Sequence, residues 1–136
     1  MLSLILLLCI VGDVTKPKPS LVRPQPVTVE GFYRLSGVDS DSKKYYGSCH
    51  ITKLKDSSTW AVYYAVGHGL GRGMVQYQGV GILDGNRFAV AWSMTLVSGE
   101  TLRGVTLYTV GEGSWQGVWA TMPLSCGTET LKRIPD

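Results

Sequence analysis

Among the side chains able to do chemistry, Glu129 stands first. The alternation Gly127-Thr128-Glu129-Thr130-Leu131 puts it on the same face as Leu131, because successive strand residues point to opposite sides. If Leu131 is core, the carboxylate turns inward with it and needs hydrogen-bond donors. The phenol of Tyr33 or Tyr64, the indole N–H of Trp115 or Trp119, or Arg34 could supply them. Such a group either closes a structural network or acts as a polar hook for a ligand. No second carboxylate pairs with it by spacing, so the two-carboxylate chemistry of glycoside hydrolysis has no support.

The other candidates carry less. His50 and His68 are the only histidines, which excludes a His-rich metal site. His50 alternates with Cys49 and is expected on an outer face. His68 and Arg72 sit at the tip of Gly67-His-Gly-Leu-Gly-Arg-Gly73. Its glycines fall at every second position and no Gly-Lys-Ser/Thr follows, so it matches neither phosphate-binding fingerprint. It reads as a hairpin connection whose two basic tips could touch an anionic ligand at a rim. Asp39-Ser-Asp41-Ser-Lys43 opens like a calcium loop, but Lys43 stands where an oxygen ligand belongs, leaving a polar turn. Cys49 and Cys126 lack a histidine placed to activate them; they are expected either to form a disulfide or to leave a buried free thiol. Neither an enzyme activity, a cofactor nor a metal is expected.

The elements that must position these residues are strands. Tyr77 to Trp92 reads as two strands joined at Asp84-Gly85-Asn86, and an Asp-Gly pair between β-rich runs is a strong hairpin signal. The wording recurs: Tyr45-Tyr46-Gly47, Tyr77-Gln78-Gly79 and Trp115-Gln116-Gly117 each open a hairpin. Period-2 texture predicts strands over 29–35, 45–54, 59–66, 74–83, 87–93, 104–110, 114–121 and 128–133. Along them Tyr33, Trp60, Tyr64, Phe88, Trp92, Tyr108, Trp115 and Trp119 share inward parity. The fold class is therefore all-β, an eight-stranded antiparallel up-and-down meander closing into a small barrel, which removes its own edges. An interior of that size is filled by side chains or holds one small ligand; filling by the aromatic set is the expectation. Gly47, Gly79 and Gly117 are expected where strands coil or neighbouring backbones crowd.

The succession Tyr-x-Gly, Val-x-Tyr-x-Val-Gly, Phe-x-Val-x-Trp, Leu-Tyr-x-Val, Trp-x-Gly-x-Trp and Gly-x-Glu-x-Leu, running from about Gly31 to Leu131, resembles a family of small exported bacterial β-barrel proteins without an established activity. More distantly, Gly31-Phe-Tyr33 resembles the Gly-x-Trp opening of lipocalin- and avidin-like barrels, with Tyr33 where they carry Trp.

Ahead of the domain, Leu2 to Val11 is an apolar run of ten residues with five leucines. That is short of the roughly 20 residues a membrane span takes and suits the apolar region of a signal peptide. Residues 1–12 read as the signal, 13–28 as an extended linker with Pro17, Pro19, Pro24 and Pro26, and 29–136 as the barrel. Export to the periplasm or extracellular space is expected, with the membrane met only through the signal. A lipid anchor on Cys9 is the weaker alternative, because bulky Leu8 precedes it. The net charge of +3 is mild and its lysines are scattered, which argues against a nucleic-acid partner. The partner expected is a small molecule or an envelope component, met by Trp60, Tyr64, Trp92, Trp115, Trp119, Glu129, His68 and Arg72. The competing reading is a structural or adhesive surface module with a filled core.

Overall fold

The computed structural model describes residues 27–67, 73–122 and 124–136. The signal segment, most of the linker, and His68 and Arg72 lie outside them. Eight strands follow one another: β1 (Gly31–Val38), β2 (Lys44–Lys53), β3 (Thr59–Gly67), β4 (Val75–Asp84), β5 (Arg87–Thr95), β6 (Thr101–Thr109), β7 (Ser114–Met122) and β8 (Ser125–Arg133). Each pairs antiparallel with the next, and β1 pairs with β8 from Tyr33↔Arg133 to Val38↔Thr128, so the sheet closes as a barrel. Every described strand thus has both neighbours, and no open edge is left to template aggregation.

Alternation decides what faces the axis. On β5, Phe88, Val90 and Trp92 are buried, while Arg87, Ala91 and Ser93 are exposed. The hairpin after Asp84 is as tight as its sequence implies: Asp84 pairs with Arg87, and Gly85 takes φ 59°, the positive value that the hairpin turns need and that costs glycine little. Most strand bounds differ from the expectation by one to three residues, and two of the shifts share a reason. Gly37 and Gly104 looked like strand ends but lie inside β1 and β6, because the ring of Tyr45 covers the first and that of Trp92 the second. A Cβ at either position would collide with the ring.

The two ends of the barrel differ. At the end where the chain arrives through Val29, the rings of Tyr33, Phe88, Trp115 and Trp60 pack tilted or edge to face, with Tyr33–Trp115 centroids 4.9 Å apart and Trp60–Phe88 5.8 Å. Such offset contacts suit the ring quadrupoles. Phe88 is fully buried, and truncating a phenylalanine in such a site costs about 3–5 kcal/mol. Arg133 latches this end. Its guanidinium donates to the carbonyls of Thr28 and Glu30 and to the Tyr33 hydroxyl, each at 2.7 Å, and lies 4.9 Å from the Tyr33 ring centroid. The Tyr33 hydroxyl in turn donates to the Val29 carbonyl at 2.6 Å. Burial is the main cause that pushes the Tyr33 phenol up to about 12, partly offset by Arg133.

Candidate functional site

The site is built on one rung of the sheet. Tyr45 pairs with Gly37, Gly37 with Glu129, Glu129 with Gly117, and Gly117 with Tyr108. Glu129 therefore has a glycine on each side and a tyrosine beyond each glycine. With no side chains on the intervening positions, both rings lean inward over the glycines and reach the carboxylate. Tyr45 donates to Oε2 at 2.9 Å, and Tyr108 donates to Oε1. The network continues outward: Trp119 Nε1 donates to the Tyr45 oxygen at 2.7 Å. Tyr64 and Tyr108 oxygens lie 3.1 Å apart; since the Tyr108 hydrogen goes to Glu129, Tyr64 donates there. Glu129 is only 5% exposed.

Burial is the largest influence on this carboxyl and raises its pKa above the usual carboxylate value, against the lowering pull of the Tyr108 and Tyr45 hydrogen bonds. Desolvation disfavours the charged form, whereas hydrogen bonds to it favour that form. The phenols of Tyr45, Tyr64, Tyr77 and Tyr108 are all pushed above their usual range by burial first, and by the nearby carboxylate. They stay neutral donors across the physiological range.

Above this rung, toward the end opposite the packed one, the barrel is hollow. A recess of about 440 Å³ has Glu129 and Tyr45 at its floor and Asp39 at its mouth. Its walls are the rings of Tyr77, Trp92 and Trp119 and the aliphatic chains of Val66, Met94 and Leu102. The volume falls within the roughly 300–1,000 Å³ of small-molecule sites. Tyr77 stands between Tyr64, stacked on it at 4.6 Å, and Trp92 at 5.2 Å. Trp92 is held upright by glycines on both sides, Gly79 and Gly104, and by its Nε1 donating to Thr106 Oγ1 at 2.9 Å. Gly67 and Gly73 flank the mouth. Asp39 is fixed there as a turn cap, its Oδ1 accepting from the amides of Asp41 and Lys43, each at 2.9 Å; the calcium-like stretch is a polar turn.

Of the predicted site residues, Trp92, Trp119 and Glu129 line the recess, and Tyr64 lies behind its wall. Trp60 and Trp115 do not reach it: they have the right parity but belong to the packed end. The core is thus filled at one end only, where filling throughout was expected. The donors to Glu129 also differ from the expectation. Tyr33 and Trp115 sit at the far end, and Arg34 faces outward and is exposed; Tyr45 and Tyr108 take their place. Tyr45 and Tyr77 were the missed aromatic lining residues, and their signal was present: each stands two positions before an inward glycine.

Of the two alternatives left open for Cys49 and Cys126, the structure has the free thiol, buried at Cys49, and not the disulfide. Cys49 is buried inside the barrel on β2, whereas Cys126 is exposed on β8. β8 begins at Ser125, earlier than expected, which gives Cys126 the outward parity of Thr128, so the two thiols lie on opposite faces of the wall. His50 is on the outer face as expected, stacked on Phe32 at 4.1 Å and 2°.

No protein-family model matches the chain, and no curated protein matches it. Solved structures it resembles include designed barrels. A redesigned β-barrel, mFAP1, bound to DFHBI, aligns with TM-score 0.65 at 12% identity over 76% of this chain and 94% of that one. A de novo designed fluorescence-activating β-barrel aligns with TM-score 0.60 at 13% identity over 77% of this chain and 93% of its own. At such identities the likeness is one of fold: this chain adopts the eight-stranded, lipocalin-like barrel architecture.

Proposed function

We propose that this protein is an exported binding barrel that holds a small ligand in the recess at its open end, and that it binds rather than catalyses. The observation that carries the reading is the contrast between the two ends. One is packed ring against ring, while the other leaves about 440 Å³ bounded by aromatic rings over a hydrogen-bonded carboxylate. A barrel that needed only stability would gain by filling that space, since buried apolar contact stabilises. The solved barrels of this architecture include ones bound to the small molecule DFHBI, which favours the reading. The apolar run from Leu2 to Val11 supports export and brings the recess to small solutes or envelope components.

The test is native mass spectrometry of the protein purified from its own host, with Trp92→Ala as the comparison. A co-purifying small molecule on the wild type and its loss from the variant are expected. Apo protein in both, together with no solute that alters the tryptophan emission, would refute the reading.

A surface module is the second reading, favoured by the outer wall. Two rungs there, Val80↔Ala91↔Val105↔Ala120 and Ile82↔Ala89↔Leu107↔Val118, are apolar across β4–β7. Val80, Ile82, Val105 and Val118 are each more than half exposed. Contiguous apolar surface of this kind marks interaction sites.

A further inference from the structure

The chemistry lining the recess narrows the ligand. This step rests on the reading of the recess as a ligand site. Both indole donors are already engaged within the wall, Trp92 with Thr106 and Trp119 with Tyr45. Among the described residues no lysine, arginine or histidine lines the space. What the recess offers is negative: a carboxylate at the floor, a second at the mouth, and the rings of Tyr45, Tyr77, Trp92 and Trp119 between them. An ionised carboxylate has about four acceptor positions, and each Glu129 oxygen accepts a bond from one tyrosine, so acceptor capacity remains. Ring faces attract cations, more strongly in a desolvated site, and aromatic cages are the usual recognition of organic ammonium groups. Among the described residues Glu129 has no cationic neighbour; a buried carboxylate so placed is costly in itself, and a bound cation would relieve that cost.

We propose that the recess takes an organic cation, an ammonium or protonated amine, whose apolar part lies among Tyr77, Trp92 and Trp119 and whose charged nitrogen faces Glu129.

The proposal sets a direction for pH. Glu129 meets Tyr45 and Cys49 from β2, Tyr64 from β3, Tyr77 from β4 and Tyr108 from β6. All of these are held neutral by burial, so Glu129 is the inner group that titrates. Protonating it removes the counter-charge, and cation affinity falls as the pH drops.

A charge series of near-equal size tests this by calorimetry on the full chain: 2-phenylethylammonium, 2-phenylethanol and phenylacetate at pH 8 and low salt. The ammonium is expected to bind at least tenfold tighter than the alcohol, with phenylacetate weakest. The preference should fall to below threefold in Glu129→Gln and shrink in Asp39→Asn, a mouth substitution that leaves the interior intact. Between pH 8 and pH 5 the ammonium should weaken while the alcohol stays level. If the alcohol equals the ammonium, or phenylacetate binds tightest, the cation is refuted while the ligand site stands. If none of the three binds, the site and the cation are refuted together. If Glu129→Gln fails to fold, an unchanged preference in Asp39→Asn together with a pH-independent ammonium affinity overturns the proposal.

Discussion

Tyr108→Phe isolates the network under the recess. The substitution keeps the ring, which fills the space over Gly117, and deletes one oxygen. Two hydrogen bonds go with it: the donation to Glu129 Oε1 and the acceptance from Tyr64. A bond to a charged group contributes about 1.5–3 kcal/mol, and a stranded buried hydroxyl costs about 1–3 kcal/mol. Tyr64 is 3% exposed and Tyr108 0%, so water does not replace the lost partner. A loss of about 3 kcal/mol follows, on the order of 10 °C in Tm for a domain of this size.

The pH dependence makes the prediction specific. Burial raises the folded pKa of Glu129, so from its ordinary value of 4.5 upward to the raised value the native state holds more protons than the unfolded chain. Stability attributable to this group is then greatest below 4.5 and is lost as the pH rises through that window, the reverse of a salt-bridged carboxylate. Tyr108 is the first of the two influences that pull the pKa down. Without it the pKa climbs further and the loss with pH grows. Urea unfolding followed by tryptophan emission at pH 4 and pH 8 is the assay. The cost of Tyr108→Phe should be roughly twice as large at pH 8, because a bond to a charged acceptor is about twice as strong as a neutral one. In a Glu129→Gln background the difference between the two pH values should vanish. Equal costs at both pH values, or a Tm change below about 2 °C, would show that the carboxylate network does not support the fold.

Three further outcomes follow from the same geometry. Gly104→Ala would set a Cβ against the Trp92 ring and 2.7 Å from the Ala120 carbonyl, so it should cost about 1–3 kcal/mol in urea unfolding; Gly73→Ala, with open space around it, should be within about 0.5 kcal/mol of wild type. Maleimide labelling of native protein with peptide mapping should modify Cys126 and spare Cys49, whose thiol is buried and pushed up by burial; both should react in denaturant. Arg133→Ala removes three bonds that pin the chain before β1, and amide hydrogen exchange over residues 28–34 should quicken while β5 and β6 are unchanged.

Which side of the wall a residue faces was legible from the sequence, because parity belongs to a single strand. Phe88, Val90 and Trp92 could be assigned inward from their own spacing, and so could Glu129. Height along the axis was not, because it depends on how strands are staggered against one another. Trp60 and Trp92 have the same inward parity, yet Trp60 packs on Phe88 at the closed end while Trp92 borders the recess. The same limit hid the partners of Glu129. Tyr45 and Tyr108 each lie two strands away around the barrel, and only the rung Tyr45–Gly37–Glu129–Gly117–Tyr108 brings them together. The thrice-written aromatic-x-Gly wording takes its meaning there. It is large and small alternating along a strand: at Gly117 the small position takes the ring of Tyr108 from the next strand, while at Gly47 and Gly79 it admits the neighbouring backbone at Ala65 and Ala91. An inward carboxylate in such a barrel can be satisfied only where its neighbours leave that room. Gly37 and Gly117 are therefore as much a part of the site as the tyrosines that cross them, and a Cβ at Gly37, which would strike the Tyr45 ring, should abolish the network with no polar group removed.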